Sequence, residues 1–146
     1  MKTLTTEITI NAPSNKVWDV LMDHQTYPNW NPFIKTITGS PRLGGKLAVT
    51  IQPEDKKPMT FTPVVLKNEK DKEFRWLGHL FVKGLFDGEH YFQLDAIGPN
   101  QTRLIHGEIF TGVLASVLLK MIGKSTLNGF RSMNEALKRQ VEITNP

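Results

Sequence analysis

The sequence has 146 residues, a length typical of a single domain that buries one hydrophobic core. It contains no cysteine, which excludes disulfides, thiolate metal sites and cysteine nucleophiles. The formal charge is +4, but the lysines and arginines are scattered along the chain and interleaved with acidic residues. That distribution predicts a solvated surface and no nucleic-acid partner. We find no secretory signal and no run of about 20 apolar residues, so we expect a cytoplasmic protein without stable membrane insertion.

The first elements are a strand and a short helix. Thr5–Asn11 alternate polar and apolar residues, which predicts a half-buried strand with Ile8 and Ile10 facing the core. After Pro13, apolar residues recur at helical spacing through Met22 and predict an amphipathic helix. The next segment contains two prolines, which limit it to one helical turn and a loop near an opening of the core.

A run of strands follows. From Phe33 to Thr111, strand-like segments are separated by turn residues, with no helical segment between them. This pattern favours an antiparallel meander over a parallel sheet. The predicted strands are Phe33–Thr38, Gly45–Gln52, Pro58–Lys67, Lys72–Gly78, Gly88–Ile97 and Thr102–Thr111.

A long helical pattern closes the chain. Beyond Gly112, apolar residues recur at helical spacing from Leu114 to Val141. The sequence therefore predicts an α+β protein in which a curved antiparallel sheet of about seven strands wraps around a C-terminal helix. Two short helices follow the first strand, and residues 1–146 form one domain.

Five segments carry a resemblance to a known group of proteins: Asn11–Pro13, Val17–Leu21, Tyr27–Pro32, Gly84–Phe92 and Thr102–Gly112. In order and spacing they resemble the START-like superfamily, also called Bet v 1-like or SRPBCC, with its polyketide cyclase/dehydrase group. The resemblance implies the helix-grip fold and a cavity between sheet and helix. Across the superfamily such cavities hold lipids, hormones, polyketides and other apolar molecules. Some members are enzymes and many are carriers, so the fold alone leaves the chemistry open.

Three polar residues are the candidate catalytic or ligand-orienting groups. Strand alternation places His90 on the same face as Phe92, and it places His106 and Glu108 on the same face as Phe110. Pairing about the turn at Gly98 brings the two strands together, so the three polar groups are expected to point into one cavity. They could form a satisfied structural patch, orient a ligand, or act as acid and base. A metal site is chemically possible, but we predict no metal and no cofactor.

The remaining candidate ligand-binding residues are aromatic or flexible apolar side chains. Trp76, Phe92 and Phe110 are expected on the cavity wall and Tyr27 or Trp30 near its entrance. On the long helix, Met121, Phe130 and Met133 could line an adaptable cavity. Each of these residues could instead belong to an ordinary packed core.

Three functions from different classes remain open. The first is binding or carriage of a small apolar ligand of lipid, polyketide or aromatic type, since the sequence predicts a pocket without a recognisable catalytic set. The second is a polyketide cyclase/dehydratase-like enzyme using the His and Glu groups. The third is a protein-interaction module. A homodimer is possible under any of them.

Overall fold

The structure, a computed structural model, describes residues 1–80 and 82–144. Its elements in chain order are β1 (Lys2–Ile10), α1 (Ser14–Met22), a 3₁₀ turn (His24–Thr26), α2 (Tyr27–Trp30), β2 (Ile34–Gly39), β3 (Leu47–Ile51), β4 (Met59–Phe61), β5 (Val64–Glu69), β6 (Glu73–Leu80), β7 (Phe86–Gly98), β8 (Gln101–Thr111) and α3 (Ala115–Thr144).

The strands form two antiparallel sheets that meet along one edge. Five strands pair in the order β1-β8-β7-β6-β5, and three pair as β2-β3-β4. A bridge between Lys46 and Val64 joins them, as does the hydrogen bond from the Gly44 amide to the Val65 carbonyl at 2.9 Å. The antiparallel meander, the two short helices and the C-terminal helix match the predicted helix-grip fold, which is confirmed.

One predicted strand is wrong in its bounds. Pro58–Lys67 was expected to be a single strand, but it divides into β4 and β5, so the described part of the chain has eight strands. Pro63 lies in the gap and has no amide hydrogen to donate to a sheet ladder. Its carbonyl instead accepts a hydrogen bond from the Leu47 amide at 3.0 Å, which turns the chain from one sheet to the other.

The long helix α3 packs against two apolar clusters. Its second half joins the main core, which includes Phe130, Met133 and Leu137. Its first residue, Ala115, joins a smaller cluster with Phe86 and Phe110, and we call this the small cluster. Among the helices of residues 1–80 and 82–144, none has a segment apolar and long enough to cross a bilayer.

Candidate functional site

A cavity of about 150 Å³ lies between the main core and the small cluster, under α3. Its walls come from β3, β4, β6, β7, β8 and α3, and most of the lining side chains are apolar. The lining residues are Phe33, Ile51, Pro53, Lys56, Lys57, Met59, Phe61, Gly78, Leu80, Phe86, Gly88, His90, Glu108, Phe110, Ile122, Ser125 and Thr126.

The cavity opens beside the segment that links β3 to β4. Lys56, Lys57 and Met59 are lining residues that are also exposed to solvent. His90 and Phe110, by contrast, are buried. The mouth of the cavity therefore carries two positive charges, and its floor carries the imidazole of His90.

The polar part of the floor is a cross-strand pair. His90 on β7 is directly opposite Glu108 on β8, because the turn at Gly98 fixes the register of the two strands. His90 Nδ1 lies 3.3 Å from Glu108 Oε1, and the two side chains are 4% and 14% exposed. Gly88 makes this arrangement possible, since a Cβ at that position would lie 2.2 Å from Glu108 Oε2.

A chain of hydrogen bonds continues from His90 into the protein interior. His90 Nε2 lies 2.8 Å from His106 Nε2, and His106 Nδ1 lies 2.8 Å from Asn134 Oδ1 on α3. Asn134 Nδ2 donates to Thr6 Oγ1 at 2.8 Å, and the Thr6 hydroxyl donates to the His106 carbonyl at 2.9 Å. All four residues are buried, so this chain has no exit to solvent on its inner side.

The direction of each hydrogen bond between His90 and Thr6 follows from the Thr6 hydroxyl. Its single proton goes to the His106 carbonyl, so it can only accept from Asn134, and Asn134 must then turn its oxygen toward His106. His106 consequently carries its proton on Nδ1 and, when neutral, offers the lone pair of Nε2 to His90. His90 must donate from Nε2, which leaves its Nδ1 to share one proton with Glu108.

Burial keeps His106 neutral. Removal from water lowers the pKa of His106 well below its usual value, and the neighbouring His90 imidazole lowers it further. The hydrogen bond with Asn134 acts in the opposite direction. His106 is therefore a fixed hydrogen-bond acceptor for His90.

Aromatic rings hold the two imidazoles in place. Trp76 stacks on His90 with ring centroids 4.7 Å apart and planes 15° apart. Phe130 stacks on His106 at 4.3 Å, and Phe92 contacts the same ring at 4.4 Å. These contacts leave the edge of His90 that carries Nδ1 directed toward Glu108.

The structure divides the predicted site residues into two groups. Of the described lining residues, His90, Glu108 and Phe110 were among the candidates. Trp76, Phe92, Phe130 and Met133 are buried in the main core, and His106 lies behind His90. The expectation that all three polar groups reach one cavity is thus corrected: two reach it, and the third supports them from the interior.

Three further candidates for the ligand site are absent from the lining of the cavity. Met121 is 71% exposed, so it lies on the solvent side of α3 and not on the cavity. Tyr27 is buried, and its hydroxyl donates to the Leu21 carbonyl at 2.6 Å, so it is a core residue and not an entrance. Trp30 packs edge-on against Tyr27 at 5.1 Å and donates from Nε1 to Thr26 Oγ1 at 3.2 Å.

Sequence reasoning missed Thr6, Gly88 and Asn134. A signal existed for two of them, since Asn134 interrupts the apolar stripe four residues after Phe130, and Thr6 shares the inward face of β1 with Ile10. A polar residue on a buried face requires a partner, and the partners here are each other and His106. No three His, Asp or Glu side chains in residues 1–80 and 82–144 are placed to hold a metal ion.

One known family matches most of the chain. Residues 1–142 match the model of the family described as polyketide cyclase / dehydrase and lipid transport. The chain belongs to this family. No curated protein matches the sequence significantly.

Solved structures of low sequence identity share the fold. The Zhui aromatase/cyclase from a Streptomyces species has 13% identity and a TM-score of 0.78, over 97% of this chain and 93% of that one. A START superfamily protein from Mycobacterium smegmatis has 18% identity and a TM-score of 0.72, with 97% and 98% covered. Norcoclaurine synthase from Thalictrum flavum has 11% identity and a TM-score of 0.75, with 99% and 96% covered.

Proposed function

We propose that this protein binds a compact, mainly apolar molecule whose one polar group forms a hydrogen bond with the His90–Glu108 pair. The observation that carries the proposal is this pair of ionisable side chains on the floor of a largely apolar cavity. Burying ionisable side chains costs free energy unless their polar atoms have hydrogen-bond partners. A ligand that is apolar apart from one hydroxyl or carbonyl group complements this pair.

The volume of the cavity limits the ligand. At about 150 Å³ it is smaller than the roughly 300 Å³ or more of typical ligand pockets. A cavity of about this size accommodates a single aromatic ring. The preferred ligand is therefore about the size of one substituted ring.

Titration with phenol and toluene tests this proposal, since the two molecules differ by a hydroxyl in place of a methyl group. Phenol is expected to bind about tenfold more tightly than toluene, the value of a hydrogen bond to a charged group. Glu108→Gln should reduce that preference severalfold because the bond loses its charge. Glu135→Gln, an exposed carboxylate on α3, is the matched control and should leave it unchanged.

Two results of this titration would contradict the proposal. Equal affinities for phenol and toluene would mean that the polar pair does not orient the ligand. Absence of binding by either molecule, with the fold verified by circular dichroism, would mean that the cavity is not a site for molecules of this size.

A second candidate is proton transfer on the bound molecule, supported by the proton shared between His90 and Glu108. With the pair charged, Glu108 could remove a proton from the carbon beside a carbonyl while His90 donates one to a leaving hydroxyl. A carbon–carbon double bond forms, the carbon–oxygen bond breaks and water leaves. The proton then returns from Glu108 to His90. Fold neighbours named as a cyclase and a synthase support an enzymatic role on this scaffold.

Dehydration of 4-hydroxybutan-2-one, followed by the absorbance of the enone, tests this candidate. Glu108→Gln should lower the rate by about 100-fold or more if Glu108 is the base, and Glu135→Gln should not lower it. A rate no greater than that of the buffer, in a protein that binds phenol, would exclude proton transfer on this substrate and leave the binding role intact.

A further inference from the structure

An apolar stripe faces solvent on the first half of α3. Val117 and Met121 are 59% and 71% exposed, and Val113, just before the helix, is 78% exposed. Val117 and Met121 are spaced by four, so they lie on one side of the helix, and together with Val113 we call them the outer stripe. Val82, 66% exposed, lies two residues before Gly84, whose carbonyl accepts from the Val113 amide at 3.1 Å. The loop that carries Val82 therefore lies beside the start of the stripe.

The charged residues on the first half of α3 are all positive. Between Glu108 and Glu135 the sequence contains Lys120, Lys124 and Arg131 but no aspartate or glutamate. At 100° per residue, Lys120 and Lys124 lie within about 60° of Val117 around the helix. Both lysines are exposed. The outer face of the first three turns is thus apolar and basic, with no carboxylate on the same face to neutralise it.

We propose that this face docks α3 onto an anionic lipid bilayer. Val117 and Met121 would enter the headgroup region, and Lys120 and Lys124 would contact the anionic headgroups. An exposed apolar patch marks an interaction surface, and an apolar stripe with flanking lysines is the pattern of helices that lie on membranes. The proposal concerns surface binding and does not depend on the cavity having a ligand.

The charges argue against a second copy of the chain as the occupant. In a twofold dimer built on the outer stripe, each surface meets its own copy. Lys120 and Lys124 of one protomer would then face the same residues of the other, with no acidic residue in this stretch of α3 to separate them. A membrane containing phosphatidylserine offers the complementary charge instead.

Co-sedimentation with vesicles tests the proposal. We expect binding to vesicles of phosphatidylcholine with about 30% phosphatidylserine, little binding to pure phosphatidylcholine, and weaker binding as salt is raised. The double variant K120Q/K124Q should bind about 30-fold more weakly, because each lysine near an anionic surface accounts for about fivefold. The double variant V117S/M121S should also bind about tenfold more weakly.

Matched controls lie elsewhere on the same protein. Ile143→Ser changes a residue that is 73% exposed at the other end of α3, and K2Q/K70Q removes two exposed lysines outside the helix. Both should bind like the unmodified protein. Absence of binding to anionic vesicles, or an equal loss in the control variants, would overturn the proposal. Self-association abolished by V117S/M121S would assign the face to a second copy and overturn it as well.

Discussion

The two halves of α3 differ in what they contact, although they form one continuous helix. From Gly123 to Val141 the inward residues are buried and belong mainly to the main core. From Ala115 to Ile122, by contrast, Ala115 is buried while Val117 and Met121 face solvent. The second half secures the helix to the sheet, and the first half forms a wall of the cavity and an open outer face.

This difference shows that one part of a helix can stabilise the fold while another part of the same helix stays available for binding. Regions with few buried apolar contacts open more readily than a packed core. The cavity lies at the transition between the halves, lined by Ile122, Ser125 and Thr126. The packed half contributes Asn134, which orients the polar chain behind the cavity without touching it.

The largest expected effect is a difference in stability between a variant in the second half of α3 and a variant in the first half. Phe130→Ala should destabilise the protein by about 3–5 kcal/mol, because the ring is fully buried against Phe33 and His106 and its loss leaves a void. Val117→Ala removes an exposed side chain and should change the free energy of unfolding by less than about 0.5 kcal/mol. Urea denaturation measures both values, and similar costs would remove the distinction between the halves.

Replacement of a polar residue in the second half of α3 should also lower the stability of the protein. Asn134→Ala leaves the Nδ1–H of His106 without an acceptor in a buried site and should cost about 1–3 kcal/mol. Ser132→Ala, at an exposed position two residues earlier, should cost almost nothing. Nitrogen-15 NMR of the imidazoles should also show that His106 no longer holds its proton on Nδ1 alone. An unchanged tautomer would contradict the hydrogen-bond directions deduced from Thr6.

The same contrast explains which features the sequence predicted. Strand alternation and turn residues predicted β7, β8 and their pairing, so the proximity of His90 and Glu108 could be predicted from the sequence. The first half of α3 is apolar on both sides, as Leu118 and Ile122 face inward while Val117 and Met121 face outward. Periodicity cannot choose between two apolar sides, and Met121 was therefore misplaced.

The cavity itself could not be predicted from local patterns. Its mouth is formed by Lys56 and Lys57 in a segment between short strands, and its floor by residues more than 20 positions away. Which space between the apolar side chains stays empty depends on how the main core packs against the small cluster. The 26 residues from 109 to 134 contain no carboxylate, and this local pattern indicates a basic surface on α3. The net charge of the whole chain does not show such a local excess.

Acid should weaken the packed part of the protein before its carboxylates are protonated. Burial lowers the pKa of His24 from 6.5 to about 4, and its ring contacts Tyr27 and Phe74. The unfolded chain takes up this proton near pH 6.5, whereas the folded chain does so near pH 4. Stability is therefore complete above pH 6.5 and falls as the pH drops toward 4, by up to about 3 kcal/mol.

The variant His24→Phe isolates this contribution. It keeps a ring against Tyr27 and removes Nε2, which is buried without a partner among the described residues. We expect a smaller loss of stability between pH 7 and pH 5 than in the unmodified protein, measured by urea denaturation at each pH. The remaining slope should come from His106, whose pKa is also lowered by burial. Identical pH profiles would show that His24 is not the titrating group.

The smallest expected effects come from two glycines on α3, and they should have opposite signs. A Cβ at Gly129 would lie 2.3 Å from Cδ1 of Phe33, whose ring packs on Phe130 in the main core, so Gly129→Ala should destabilise by about 1–2 kcal/mol. A Cβ at Gly123 would meet nothing within 4 Å, so Gly123→Ala should stabilise by about 0.5–1 kcal/mol through helix propensity alone. Thermal unfolding of the two variants under the same conditions gives both signs. Stabilisation by both would mean that Phe33 can turn into the adjoining cavity, and phenol binding in Gly129→Ala would then be weakened because the ring occupies the space of the ligand.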